Sequence, residues 1–179
     1  MIKLCFILSI FPVLLFGQRR VQIDVQKSNI LWKGTKMAGS GSHEGTLKFI
    51  SGWLGIQNGK LNTGAFVVDM ESMRVTDIPA HETIPLNGLT RHLKEAFEVS
   101  LFKYGKLEID KISGSIAFGN LMLLRTTKEI SFPVKKTSTG YETDFTISRK
   151  RWKIGEASSW LADKLVDDLI FIKVIIVLR

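Results

Sequence analysis

Residues 43–70, HEGTLKFISGWLGIQNGKLNTGAFVVDM, commit this chain to antiparallel strands. Leu47 and Phe49 alternate with Thr46 and Lys48, and Leu54 and Ile56 alternate with Gly55 and Gln57. A period of two is the mark of a half-buried strand. Asn58-Gly59 comes next, the pair that best suits a tight hairpin turn with two positive φ angles. Asn62-Thr63-Gly64 reads as a second turn; after it Phe66, Val68 and Met70 fall on one face, and Val67 and Asp69 on the other. Strands joined by tight turns pair with their sequence neighbours. Each has one apolar face, so the sheet must cover that face or curl around it.

The flanking sequence extends the pattern. Val21 to Asp24 reads as a short strand and Ser28 to Thr35 as a longer one, with Ile30 and Trp32 on one face. Gly39-Ser40-Gly41-Ser42 is a loop into the meander. The strand pattern stops after Met70, and Pro79, Pro85 and Gly88 punctuate the next stretch of chain. Leu89, Leu93, Ala96 and Phe97 then sit at helical spacing, so residues 88–97 read as a short amphipathic helix with Asn87 as its N-cap. Strands return from Phe102. Leu107 and Ile109 lie on one face, Ser113-Gly114 is a turn, and Ser115 to Leu124 is a strand ending in an unbroken apolar run. Arg125 to Lys128 reads as a turn. Glu129 to Lys135 carries Ile130, Phe132 and Val134 on one face, with Pro133 arguing for an edge or bulge. Tyr141 to Ile147 places Phe145 and Ile147 inward, and Trp152 and Ile154 continue that face past a basic cluster. Asp168 to Leu178 is apolar on both faces, which suits a doubly covered central strand or one that closes a barrel. This pattern predicts an all-β chain: an extended eight-stranded antiparallel β-barrel with one short helix near residues 88–97. Eight strands enclose room for side chains or one small ligand.

The start of the chain reads differently. Lys3 precedes the apolar run Leu4 to Phe16, and Gly17-Gln18 comes after it. A positive start, a short apolar stretch and a small residue at its end match a secretory signal peptide over residues 1–17. A membrane span needs roughly 20 apolar residues, and Pro12 interrupts this run; an uncleaved N-terminal anchor is the competing reading. Residues 18–179 then form one exported domain, periplasmic or secreted. The only cysteine, Cys5, leaves with the peptide, which removes disulfides, thiol catalysis and cysteine metal sites from consideration. The formal net charge is +8, and Arg149, Lys150, Arg151 and Lys153 lie close together. These charges read as solvated loop residues, as a patch for a phosphorylated ligand or for peripheral contact with an anionic membrane, or, least well for an exported chain without a recognition motif, as a nucleic-acid surface.

Several segments resemble one known family. Gly119-Asn120-Leu121, Thr127-Lys128-Glu129-Ile130 and Phe132-Pro133 are similar to the "GNLxIxGxTKxVxFP" hairpin of the YceI-like family. Ser28 to Gly34 resembles its first long strand. Ser42-His43-Glu44-Gly45 with Gly64 to Met70 resembles its meander. His92-Leu93-Lys94 with Phe97-Glu98-Val99 resembles its "HLxxxxFFDV" helix, and Phe145 to Arg149 with Trp152 its "FxIDRxxWG" segment. The chain departs from those patterns at Arg125, Lys103, Ser148 and Lys153, which stand where Gly, Pro, Asp and Gly are usual. The resemblance implies an exported, lipocalin-like barrel that holds a long isoprenoid lipid, with no catalytic residues and no cofactor.

Burying a prenyl chain needs a dry, elongated cavity, each CH₂ contributing roughly 0.8 kcal/mol. The inward side chains that would line it are Ile30, Trp32, Phe49, Phe66, Val68, Phe102, Leu107, Phe132, Phe145, Ile147 and Trp152; plain core packing is the competing reading for each. Arg149, Lys150 and Arg151 would meet the head of a polyprenyl phosphate or a quinone-like ligand. The three histidines, His43, His81 and His92, lack metal-ligand spacing, and no nucleophile elbow or phosphate loop occurs. Asp163, Asp167 and Asp168 read as solvated charges rather than paired catalytic carboxylates. An outer-membrane barrel fits poorly, because the outward positions carry many lysines. A barrel scaffold or interaction module without lipid is the alternative, and a monomer or a homodimer suits either reading.

Overall fold

The structure is a computed structural model that describes residues 19–36, 41–156 and 166–179. Ten antiparallel strands form a single sheet: β1 Arg19–Gln22, β2 Asn29–Lys36, β3 Ser42–Gln57, β4 Lys60–Val75, β5 Tyr104–Ser113, β6 Ile116–Leu123, β7 Thr126–Pro133, β8 Lys135–Lys136, β9 Gly140–Ser148 and β10 Val166–Val177. Helix α1, Thr83–Ala96, lies between β4 and β5, and a 3-10 turn, Arg149–Trp152, comes directly after β9. The sheet runs β7-β6-β5-β4-β3-β2-β10-β9-β8, with β1 alongside β3. Residues 1–17, read from sequence as a signal peptide, part of the Gly39–Ser42 loop, and Asp163 lie outside the described residues.

The strand count exceeds the eight expected; the two-residue β8, read from sequence as the end of the Glu129 to Lys135 strand, is an element of its own beyond Pro133. The meander is simpler than its sequence suggests. The β3–β4 hairpin turns at Asn58 (φ 52°) and Gly59 (φ 73°), as the Asn-Gly pair demands. Asn62-Thr63-Gly64 is no turn. The register passes from Ile56↔Leu61 to Gly55↔Thr63, so Asn62 is an extra residue bulged from β4. A bulge and a turn share a small, polar composition, and the long partner strand decides between them. β4 also runs on to Val75 rather than ending at Met70. Between β6 and β7 the turn is only Leu124-Arg125, with Leu124 at φ 52°, not Arg125 to Lys128.

Closure of the barrel rests on Pro133. It ends β7 at the sheet edge, where its missing N–H costs no ladder bond. Val134 N donates to Ser115 O (2.7 Å), and the chain then crosses to pair Lys135↔Glu142 and Lys136↔Tyr141 as β8 on β9. Among the described residues β7 and β9 share no ladder, so they splay apart beyond this crossing. The 3-10 turn fills the wedge. Trp152 is fully buried, its Nε1 donates to Leu121 O (3.0 Å), and Arg151 donates to Glu129 O (3.3 Å). Trp152 therefore stands in the turn and does not continue the β9 face.

Helix α1 starts earlier than its periodicity implies. Its N-cap is Glu82, without a side-chain capping bond, and Asn87 lies inside the helix. Pro85 sits in the first turn, where a missing N–H is harmless. None of the helix residues is fully buried. β10 is central, between β2 and β9, but it is not doubly covered: Leu169 and Phe171 on its outer face are each 47% exposed.

Candidate functional site

The inner faces of the strands enclose a cavity of about 560 Å³, within the range of roughly 300–1,000 Å³ over which proteins enfold small ligands. Its wall is overwhelmingly aliphatic and aromatic. β2 contributes Ile30 and Trp32, β3 Leu47, Phe49 and Leu54, β4 Phe66, Val68, Met70 and Met73, and β10 Ile170, Ile172, Val174 and Ile176. Period-two alternation puts these side chains on one face, and the curl of the sheet turns that face inward. α1 closes one side. Leu89, His92, Leu93, Ala96 and Phe97, spaced by three or four residues, all line the cavity.

The aromatic residues form two pairs. Phe49 and Phe66 lie 5.8 Å apart between ring centroids, tilted by 49°, across β3 and β4. Phe132 and Phe145 stack at 4.9 Å and 23° across β7 and β9. The second pair bridges the seam that lacks hydrogen bonds, so this part of the wall is held by ring contact.

Of the lining residues expected from sequence, Ile30, Trp32, Phe49, Phe66, Val68, Leu107, Phe132, Phe145 and Ile147 border the cavity. Phe102 and Trp152 do not. Phe102 packs with the smaller apolar cluster around Leu123, Leu124 and Trp152, beneath the guanidinium of Arg125 at 5.0 Å. Trp152 lies in the same cluster, outside the cavity wall. The three basic residues also divide. Arg149 lines the cavity and is only 6% exposed. Its guanidinium donates to the carbonyls of Asp167 (3.1 Å), Ile154 (3.4 Å) and Val166 (3.2 Å). Lys150 and Arg151 are exposed and border no part of the cavity. The role of Arg149 visible here is to tie the 3-10 turn to the start of β10.

Asp168 completes that tie. Its carboxylate accepts from Ser148 Oγ (2.6 Å) and Lys150 N (3.0 Å). Burial pushes its pKa up, but those bonds, with the nearby Lys150 and Arg149 charges, outweigh burial and hold it below the usual aspartate value. Asp167 accepts from Thr35 Oγ1 and joins β10 to β2. At the cavity edge, His43 Nδ1 meets Asp77 Oδ2 at 2.8 Å, and Asp77 Oδ1 accepts from Glu44 N (3.1 Å). Burial raises the Asp77 pKa, and the bonds from His43 and Glu44 lower it further than burial lifts it. Tyr141, also in the wall, has its phenol pushed up by burial. Among the described residues, no group of three metal-ligating side chains converges.

The sequence reading missed the wall contributed by α1 and β10. Both were visible as apolar periodicities, but nothing local says which apolar face looks into a void and which into packed core.

A curled antiparallel sheet around an apolar cavity, capped by one helix, defines a barrel of a kind consistent with binding a hydrophobic ligand. The YceI-like domain matches residues 21–178, and the chain belongs to the YceI-like family. No curated protein matches it. Among solved structures, BcnA of Burkholderia cenocepacia is similar over 87% of this chain and 98% of its own, with 17% identity and a TM-score of 0.70, which supports the shared fold. The YCEI protein of Campylobacter jejuni is more distant, with 15% identity over 67% of this chain and 72% of its own and a TM-score of 0.47.

Proposed function

We propose that this protein is an exported carrier that sequesters a single long-chain isoprenoid lipid in its barrel. The observation that carries the reading is the cavity itself: about 560 Å³, lined by apolar side chains from β2, β3, β4, β10 and α1. At roughly 25 cal/mol per Å² of apolar surface buried, such a wall favours a hydrocarbon chain without needing many polar contacts. Membership of the YceI-like family supports the same reading, as does the signal-peptide pattern of residues 1–17 for export. No helix among the described residues is long and apolar enough to cross a membrane.

The test is an organic extract of the purified protein examined by mass spectrometry, then titration of delipidated, folded protein with a polyprenyl phosphate and with a plain alkane-chain alcohol. The carrier reading expects a co-purifying prenyl lipid and saturable binding. Failure of both titrants to bind would leave the barrel as a scaffold.

A further inference from the structure

Among the polar side chains that interrupt the apolar wall, His43 is held by a carboxylate. It lines the cavity from the start of β3, facing Gly34 of β2 in the strand register. The Asp77 carboxylate holds Nδ1 at 2.8 Å and is itself held by Glu44 N at 3.1 Å. Asp77 lies just past the β3–β4 ladder, where Thr76 N donates to Glu44 O at 2.9 Å, so the carboxylate is placed by sheet geometry. An imidazole whose Nδ1–H donates to a carboxylate presents Nε2 as an acceptor. Beside it the wall is open: a side chain at Gly34 would meet nothing within 4 Å.

Trp32 supplies the wall next to this corner. Trp32 lies two residues from Gly34 on the same face of β2, opposite Gly45. Its indole leans over Gly45, with Cε2 2.8 Å from where a Cβ would stand. Its Nε1 is buried and has no hydrogen-bond partner among the described residues. No water-sized atom reaches Nε1, so the indole serves this corner as apolar wall and not as a donor to a ligand. The negative Asp77 behind the imidazole disfavours an anionic head, and Arg149, the buried cation in the wall, spends its donors on backbone carbonyls.

From this arrangement we infer that His43, oriented by Asp77, forms the head-recognition site of the cavity, selecting a ligand whose uncharged head donates a hydrogen bond, such as a hydroxyl. The inference rests on the carrier reading and names the chemistry of its ligand's polar end. It moves that end away from Lys150 and Arg151.

The experiment compares farnesol with farnesyl methyl ether and farnesyl phosphate, titrated into delipidated protein at mildly alkaline pH, where an ordinary imidazole is neutral. The ether keeps the chain and the oxygen but cannot donate. The wild type should prefer farnesol to the ether by about fivefold or more, the scale of one neutral hydrogen bond. It should also bind farnesol more tightly than the phosphate. His43→Leu should bind the two uncharged probes equally, with its affinity for the ether retained. A Cβ at Gly34 meets nothing within 4 Å, so Gly34→Leu should keep its fold while its added bulk opposite His43 lowers the farnesol preference. Equal wild-type affinity for alcohol and ether, tighter binding of the phosphate, or an undiminished preference in His43→Leu would overturn the inference while leaving the carrier reading intact. Binding of no probe at all would overturn both.

Discussion

At the residue scale, the barrel depends on places where a side chain must be absent. Gly45 is the sharpest. A Cβ there would stand 1.8 Å from Arg74 O and 2.5 Å from the Trp32 ring. The first contact is with backbone and cannot be relieved by a rotamer change. Gly45→Ala should therefore destabilise by about 1–3 kcal/mol or more, the usual cost of overpacking, read as a lower urea midpoint at unchanged slope. Gly34, on the same wall, should tolerate the same change. Asp168 makes a second residue-scale prediction. Its folded pKa lies below the unfolded value, so its contribution is present above the ordinary aspartate pKa and is lost as pH falls through the folded value. Asp77 acts with the same sign. Asp168→Asn should be less stable than wild type at neutral pH and should lose less stability on acidification, measured by urea titration at several pH values. An unchanged acid slope would show that the Ser148 and Lys150 bonds do not bias its protonation.

At the element scale, sheet and helix differ in what holds them. β3 and β4 are paired along their length and carry many of the buried side chains, Leu47, Phe49, Leu54, Phe66, Met70 and Met73 among them. α1 has no fully buried residue and no side-chain N-cap. Elements with little buried surface open at low free energy, so the α1 amides should exchange with solvent well before those of β3 and β4. Equal protection would mean that the helix unfolds only with the barrel. The same contrast explains what the sequence made legible. Alternation located β2, β3, β5 and β9, because a half-buried strand writes its burial into every second residue; β10 was legible as a β-branched run apolar on both faces. The Asn58-Gly59 turn was legible because its backbone admits few residues. Asn62 was misread because bulge and turn differ in what the opposite strand does. The start of α1 was missed because Thr83 to Leu86 lies beyond its amphipathic stretch. Trp152 was assigned to the cavity because its apolar character continues the β9 face; the 3-10 turn, held by Asp168 some distance along the chain, carries it into the wedge between β7 and β9 instead. His43 and Asp77, far apart in sequence, gave no local signal of their pairing.

At the scale of the whole molecule, the question is what fills the cavity. A closed barrel packed throughout would lose about 3–5 kcal/mol on Phe→Ala, because each ring has dispersion partners on every side. Phe66 touches Phe49 on one side and faces the cavity on another. Without ligand its open side gains little from contact, so Phe66→Ala in delipidated protein should cost less than about 3 kcal/mol. With the cavity occupied, the ring gains partners and the cost should rise. The wild type supplies the matching measurement. A ligand that binds only the folded barrel adds about 2.7 kcal/mol at a free concentration of one hundred times Kd. For a chain of this size that corresponds to roughly 5–10 °C in Tm. Melting delipidated wild type and Phe66→Ala with and without a polyprenyl phosphate or farnesol should show a rise for the wild type and a smaller one for the variant. Equal rises would place the bound chain away from Phe66. No rise in either, at concentrations that saturate a parallel binding assay, would mean that the lipid binds folded and unfolded chain alike, as unspecific adsorption to side chains such as the exposed Leu169 and Phe171 would, and the barrel interior would then be a core with an unused void.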